Sequence, residues 1–287
     1  MCLIAFAIDA ATDRPFLLAA NRDESFERPT APLQRWALPG GQPLVSGRDL
    51  KDGGTWLGAS LAGRVAMLTN VRGNDPWPAR RSRGQLPLRW LRGDLGWDEL
   101  LASVRPEDYA GFNLVVGDFH RNEWGWLSNR QPDNPHAEQV SALHHRRLAP
   151  GVYGLSNAAL DTPWPKTCSL THAMRLAVEQ SAFDAERTLL QALASPVPGP
   201  GTELPSTGVP AAIEKALSSP FVHLPQRQYG TRSSLLMRVE RPANSGMGTW
   251  RVQLDEWTHQ PPEPGQPHQW SGRQRATETL TWLRPGV

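Results

Sequence analysis

With 287 residues, 39% hydrophobic and 20% charged, the chain is long enough to bury a substantial core, as one large domain or two small ones. Thirty Lys and Arg against 28 Asp and Glu leave a formal charge of +2, too mixed for a nucleic-acid-binding surface. No run approaches the ~18 apolar residues of a membrane span, so no transmembrane segment is expected.

The chain opens MCLIAFAIDA, an apolar run that stops at Asp9 and has no basic stretch before it. A secretory signal needs both that basic stretch and a longer apolar core, so residues 3–8 read as a first strand buried on both faces. Residues 9–14 turn the chain and residues 15–20 return as a second strand. Residues 25–54 are punctuated by Pro and Gly and read as irregular. Residues 55–61 and 64–69 form a further hairpin, turning at Ala62-Gly63. The basic cluster Ala79-Arg80-Arg81-Ser82-Arg83-Gly84 reads as a solvated loop. Helices are expected within 83–90 and 97–104, then an antiparallel pair at 112–118 and 123–128.

Residues 152–156 make a short strand. Helices follow at 166–180 and 184–194, and 195–208 is a loop rich in Pro, Gly, Ser and Thr. Late strands are expected at 221–224, 233–240 and 250–257. Residues 260–269 carry four prolines and read as a loose tail. The domain is therefore set at residues 1–258, with a Pro-rich C-terminal extension over 259–287. Strands, then helices, then strands give an α+β fold. No GxGxxG or P-loop pattern supports nucleotide chemistry. Cys2 and Cys168 lie far apart and make no zinc spacing, so no metal site is expected. The low cysteine count and the missing signal fit a soluble cytoplasmic protein.

Four polar clusters stand at strand ends. The second strand finishes in Asn21-Arg22-Asp23-Glu24. This is either a salt-bridged terminus or a polar site, and a hairpin would bring it beside Cys2. A thiol next to an arginine has a lowered pKa. If Met1 is removed, Cys2 also carries the free amine, with a reference pKa of about 7.7–8.0, able to act as base for its own thiol. Asn70 ends Leu68-Thr69-Asn70, and Asn157 ends Leu155-Ser156-Asn157. Either amide could donate to an oxyanion, and either could be a turn residue. The fourth cluster, Tyr229 to Ser234, reads YGTRSS. Cys168 opens a helix and reads as a buried structural cysteine. His144-His145-Arg146-Arg147 reads as an exposed loop.

In order, MC, NRDE, GGTWLG, LTN, RSRG, GFNLVVGD, YGLSNA, LDTPWPK and YGTRSS resemble the NRDE family, also called the transport-and-Golgi-organisation (type 2) family. The resemblance covers roughly residues 1 to 240. It implies a single domain with an Ntn-hydrolase-like αββα sandwich of antiparallel sheets. It also implies intracellular haem trafficking, with haem as possible cargo, lipid and acyl-CoA metabolism as another context, and effects on secretion in eukaryotic members. A more distant resemblance is to choloylglycine hydrolases and penicillin V acylases. It implies Cys2 as nucleophile, Arg22 supporting its thiolate, and Asp23 holding the α-amine. It further implies oxyanion contacts from Asn70 and Asn157, and Arg232 bracing the site.

In those enzymes the arginine and aspartate stand three residues apart; here they are adjacent. Neighbouring strand residues face opposite ways. Unless the strand is broken, Cys2 is therefore faced either by Asn21 with Asp23 or by Arg22 with Glu24. Two functions follow: a carrier of haem or a similar amphipathic small molecule, and a cysteine hydrolase of a non-peptide amide or acyl bond.

Overall fold

A computed structural model describes residues 2–9, 11, 13–38, 41–73, 78–132, 142–241, 248–260 and 274–283. In chain order the strands are β1 (Cys2–Ile8), β2 (Phe16–Ser25), β3 (Thr30–Ala37), β4 (Pro43–Asp49), β5 (Leu57–Ser60), β6 (Arg64–Asn70) and β7 (Phe112–Asp118). They continue as β8 (Glu123–Ser128), β9 (His144–Arg147), β10 (Gly151–Leu155), β11 (His223–Leu224), β12 (Tyr229–Glu240), β13 (Thr249–Thr258) and β14 (Gln274–Leu283). The helices are α1 (Gln85–Leu91), α2 (Trp97–Ser103), α3 (Pro165–Glu179), α4 (Ala182–Leu193) and α5 (Ala211–Leu217).

Two antiparallel sheets result. One runs β10-β1-β2-β12-β13-β14 with β11 beside β12; the other runs β3 to β9 in sequence order. The alternation of β1 explains why they stack. Cys2, Ile4, Phe6 and Ile8 point between the sheets, against Val45, Leu57, Val65, Met67 and Trp126. Leu3, Ala5 and Ala7 point the other way, under Leu170, Met174 and Leu189 of α3 and α4. On the far side α1 and α2 cover the second sheet through Leu86, Trp90 and Leu100. The layers are helix, sheet, sheet, helix, as the αββα expectation has it. Each large side chain fully buried here contributes about 1.5–3 kcal/mol. Among the described residues no helix is long and apolar enough to cross a membrane.

Several elements differ from the sequence reading. Residues 25–54 hold two strands, β3 and β4, not irregular chain. Among the described residues, Pro29 precedes β3, Pro43 opens β4, Pro32 falls in the irregularity between Ala31 and Gln34 on the edge strand β3, and Gly47 lies opposite it within β4. Residues 144–147 form the edge strand β9. Residues 211–217 form α5, which was not expected. The sheet also continues beyond residue 258. β14 pairs with β13 along its whole length, and Trp282 is buried with its Nε1 donating to Ser60 O of the second sheet at 2.8 Å. The sequence reading missed β14 because only its alternate residues, among them Leu280 and Trp282, are buried. The loose tail expected over 260–269 lies, apart from residue 260, outside the described residues.

One irregularity shapes the next section. β2 and β12 pair in register from Val239 to Ser233, then shift between Ser233 and Thr231, leaving Arg232 as the extra residue of a bulge.

Candidate active site

Cys2 is the first residue of β1 and lies opposite Arg22 on β2. It faces the intersheet space and lines a cavity of about 530 Å³. Arg22 shares that face. Its guanidinium lies 4.1 Å over the Trp56 ring, with Nη2 3.7 Å from Glu24 Oε2. Buried Nη1 of Arg22 has no hydrogen-bond partner among the described residues. So strand alternation holds, and Arg22 with Glu24 is the set on the Cys2 side.

Asp23 points to the helix side, where Thr231 Oγ1 donates to its Oδ1 at 2.7 Å and Tyr229 OH donates to its backbone oxygen at 2.9 Å. Asp23 nevertheless lines the cavity as well. The two residues that alternation separates therefore flank Cys2 from opposite faces.

The electrostatics are not those expected from a neighbouring arginine. Burial pushes the Cys2 thiol up and outweighs the pull of Arg22, while Asp23 and Glu24 push the same way. Burial likewise pushes the Asp23 carboxyl up, against Lys166, Thr231 and Arg72, which favour its charge.

Asn70 closes β6 and lines the cavity. Asn157 is buried behind it. Its Nδ2 donates to Asn70 O at 2.9 Å, and its own backbone oxygen accepts from Arg72 N at 2.7 Å. Ser156 Oγ adds a bond to Cys2 O at 3.1 Å. Asn157 thus spends its amide fixing the strand end that carries Asn70. Arg232 does not line the cavity. From its bulge, Nη1 donates to Ser25 O at 3.0 Å and Arg28 O at 2.5 Å, holding the turn after β2.

At the mouth, Arg28 is bound by Asp49 at 2.5 Å and Asp52 at 2.6 Å. In the basic segment residues 79–81 are exposed and residues 82–84 are half-buried, and the segment forms a wall of the cavity.

The family profile for transport and Golgi organisation 2 matches residues 1–247. The chain belongs to the transport and Golgi organisation 2 family. It is 32% identical over 262 residues to the Transport and Golgi organization protein 2 homolog of Bos taurus, covering 84% of this chain and 89% of the relative. The Homo sapiens homolog is 32% identical over 261 residues, with the same coverage. Among solved structures, a mutant conjugated bile acid hydrolase from Clostridium perfringens superposes with a TM-score of 0.51 at 9% identity, covering 100% of this chain and 98% of that one. The sandwich is Ntn-hydrolase-like.

Within this family member, the two glycine motifs read from sequence have a packing reason. A Cβ on Gly54 would lie 2.6 Å from the backbone carbon of Gly84, and Thr55 N donates to Gly84 O at 3.0 Å. Only two glycines let the GGTW and RSRG segments touch backbone to backbone beside the cavity. Gly54→Ala is expected to cost about 1–3 kcal/mol by forcing the segments apart. Thermal unfolding beside the parent chain reads this directly; an unchanged midpoint would show that the contact yields freely.

Cys168 is exposed rather than buried, because α3 turns Lys166, Thr167 and Leu170 inward and leaves residue 168 outside. The quartet 144–147 lies on the sheet edge and does not line the cavity. Sequence reasoning missed Trp56, which carries Arg22. It also missed a buried cluster behind Asp23: Lys166, Arg72 and Glu214, with Arg72 Nη1 2.5 Å from Glu214 Oε2. The signal was present in the strings GGTWLG and DTPWPK, each of which holds one of these residues. Among the described residues no group of three or more His, Cys, Asp or Glu could hold a metal ion.

Proposed function

We propose that this protein is a cysteine N-terminal-nucleophile hydrolase of a non-peptide amide or related acyl bond. The observation that carries the reading is the placement of Cys2, first on its strand, facing a polar cavity with Arg22 directly opposite. Fold likeness to a solved hydrolase supports it.

In this reading, Met1 is removed and the freed amine of Cys2 takes the thiol proton. Sγ attacks the substrate carbonyl, and the Asn70 amide receives the oxyanion. The C–N or C–O bond breaks, the leaving group departs with the proton, and water then hydrolyses the thioester to acid and thiol. Arg22 offsets the thiolate charge. Asn157 and Arg232 act as braces, one behind Asn70 and one behind the turn after β2.

The carrier reading, for haem or a similar amphipathic metabolite, calls for an apolar slot with aromatic walls. Among the described residues this cavity has one aromatic wall, Trp56, in a ring of Arg, Asp and Glu side chains. Hydrolysis therefore ranks first and carriage second.

Intact mass and N-terminal sequencing of purified protein, followed by an amide and acyl-ester screen, test the proposal. Loss of Met1 with turnover of any substrate is the expected result. Retained Met1 in active protein excludes the amine as base. A stoichiometric Soret shift on haem titration, with no turnover in the screen, would reverse the ranking.

A further inference from the structure

The bulge in β12 decides what meets Asp23. Ser233 pairs with Arg22, so an unbroken register would set Arg232 opposite Asp23. A guanidinium there would take the carboxylate for itself. The bulge moves the pairing on by one residue, and Thr231 stands opposite Asp23 instead. Arg232 is spent on Ser25 O and Arg28 O.

Thr231 is itself held in place. Its N donates to Val222 O at 3.0 Å, and its Oγ1 accepts from Val222 N at 2.8 Å. A hydroxyl has one proton. With the Val222 amide already donating to the oxygen, that proton is aimed at Asp23 Oδ1, 2.7 Å away. Tyr229 OH donates to the Asp23 backbone oxygen at 2.9 Å, so the start of β12 grips the residue twice. Asp23 and Thr231 are both buried, where such bonds are strengthened. Oδ1 is thereby fixed as the acceptor for Thr231, and any contact with the Cys2 amine is made by Oδ2. The register sets that contact up. Cys2 pairs with Arg22 and Leu3 with Asn21, so the amine side of Cys2 runs toward Asp23, and both residues line one cavity.

We propose that Thr231 is a positioning residue: placed by the bulge, it locks the Asp23 carboxylate in the orientation that offers Oδ2 to the Cys2 amine. This rests on the reading of Cys2 as an N-terminal nucleophile. When the amine takes the thiol proton, the S–H bond breaks and an N–H bond forms. The products are a thiolate and an ammonium. Asp23 stays ionised and accepts from that ammonium, while Thr231 gains and loses no proton. Burial pushes the Asp23 carboxyl up, and Lys166 of α3, Thr231 and Arg72 after β6 favour its charge. Tyr229 of β12 and Cys2 of β1 are the titratable groups that interact with it from the neighbouring strands, and Glu214 of α5 holds Arg72. Removing the Thr231 hydroxyl therefore raises the pH at which Asp23 loses its charge.

The test is alkylation of Cys2 by iodoacetamide, read by intact mass in a Cys168→Ser background of determined N-terminus, so that one thiol reports. Thr231→Val keeps the shape and lacks the hydroxyl. It is expected to slow alkylation at neutral pH by about tenfold or more and to move the acid limb of the profile up in pH. Thr231→Ser should restore the parent profile. Asp23→Asn gives an independent reading. Thr231 must still donate to the amide oxygen, which turns the NH2 group toward the Cys2 amine, so Asp23→Asn should react no faster than Asp23→Ala. A Thr231→Val protein that folds and gives the parent profile overturns the proposal. Should that variant not fold, an Asp23→Asn protein well ahead of Asp23→Ala overturns it equally. Retained Met1 overturns it together with the amine mechanism. Hydrolysis is scored separately with Cys2→Ala. A Thr231-dependent thiol in a protein without turnover supports this inference while the hydrolase reading fails; Cys2-dependent turnover with a Thr231-independent thiol does the reverse.

Discussion

Cys2→Ala is expected to abolish turnover of any amide or acyl substrate, by about 10⁴-fold or more, while leaving the fold intact. The reasoning is chemical. The hydrolase reading has one nucleophile, and the alanine methyl group cannot form the thioester. Structure should be spared because Cys2 is at the edge of the intersheet cluster and its backbone oxygen, which accepts from Ser156 Oγ, is untouched by the substitution. A destabilisation of about 1 kcal/mol is the expected scale. Initial rates and thermal unfolding on the same preparation separate the two effects. A variant with parental rates would sink the hydrolase reading outright.

Trp282→Ala is expected to destabilise the protein by about 3–5 kcal/mol. The indole is 1% exposed, lies 4.7 Å from the Phe119 ring, and donates to Ser60 O across the sandwich. Removing it opens a cavity between the sheets and leaves that carbonyl without its donor. Trp282→Phe keeps most of the volume and loses the hydrogen bond, so it should fall between parent and alanine. Denaturant midpoints for the three proteins measure this. Near-equal stability of all three would mean that β14 is an appendage rather than a wall of the core.

The same strand shows where sequence was a poor guide. β1 and β7 are buried on both faces, and the apolar runs at their centres were legible. β14 reads QRATETLTWL, with only alternate residues turned inward, and follows a proline-rich stretch. Its burial comes from β13 beside it, which no local pattern reports. The site divides in the same way. Cys2 and the NRDE segment were visible because short-range hairpin pairing brings them together. Which of Arg22 and Asp23 faces Cys2 was undecided from sequence. Both line the cavity beside it. Asn157 looked like an oxyanion donor, yet its amide is committed to the Asn70 carbonyl. Lys166 escaped notice because the charges around it, Asp23, Glu214 and Arg72, come from β2, α5 and the segment after β6, all distant in the chain.

That distance also governs how the molecule comes into being on the ribosome. β1 and β2 emerge first, but their other neighbours are β10 and β12, and Ser234 bonds Asn21 across 213 positions. A lone two-stranded hairpin is marginal in water. Long-range pairings of this kind close late and slowly. For most of synthesis the leading strand has nothing to dock on. The sheet that places Cys2 at the cavity is assembled only once β10 and β12 have been made, with most of the chain translated.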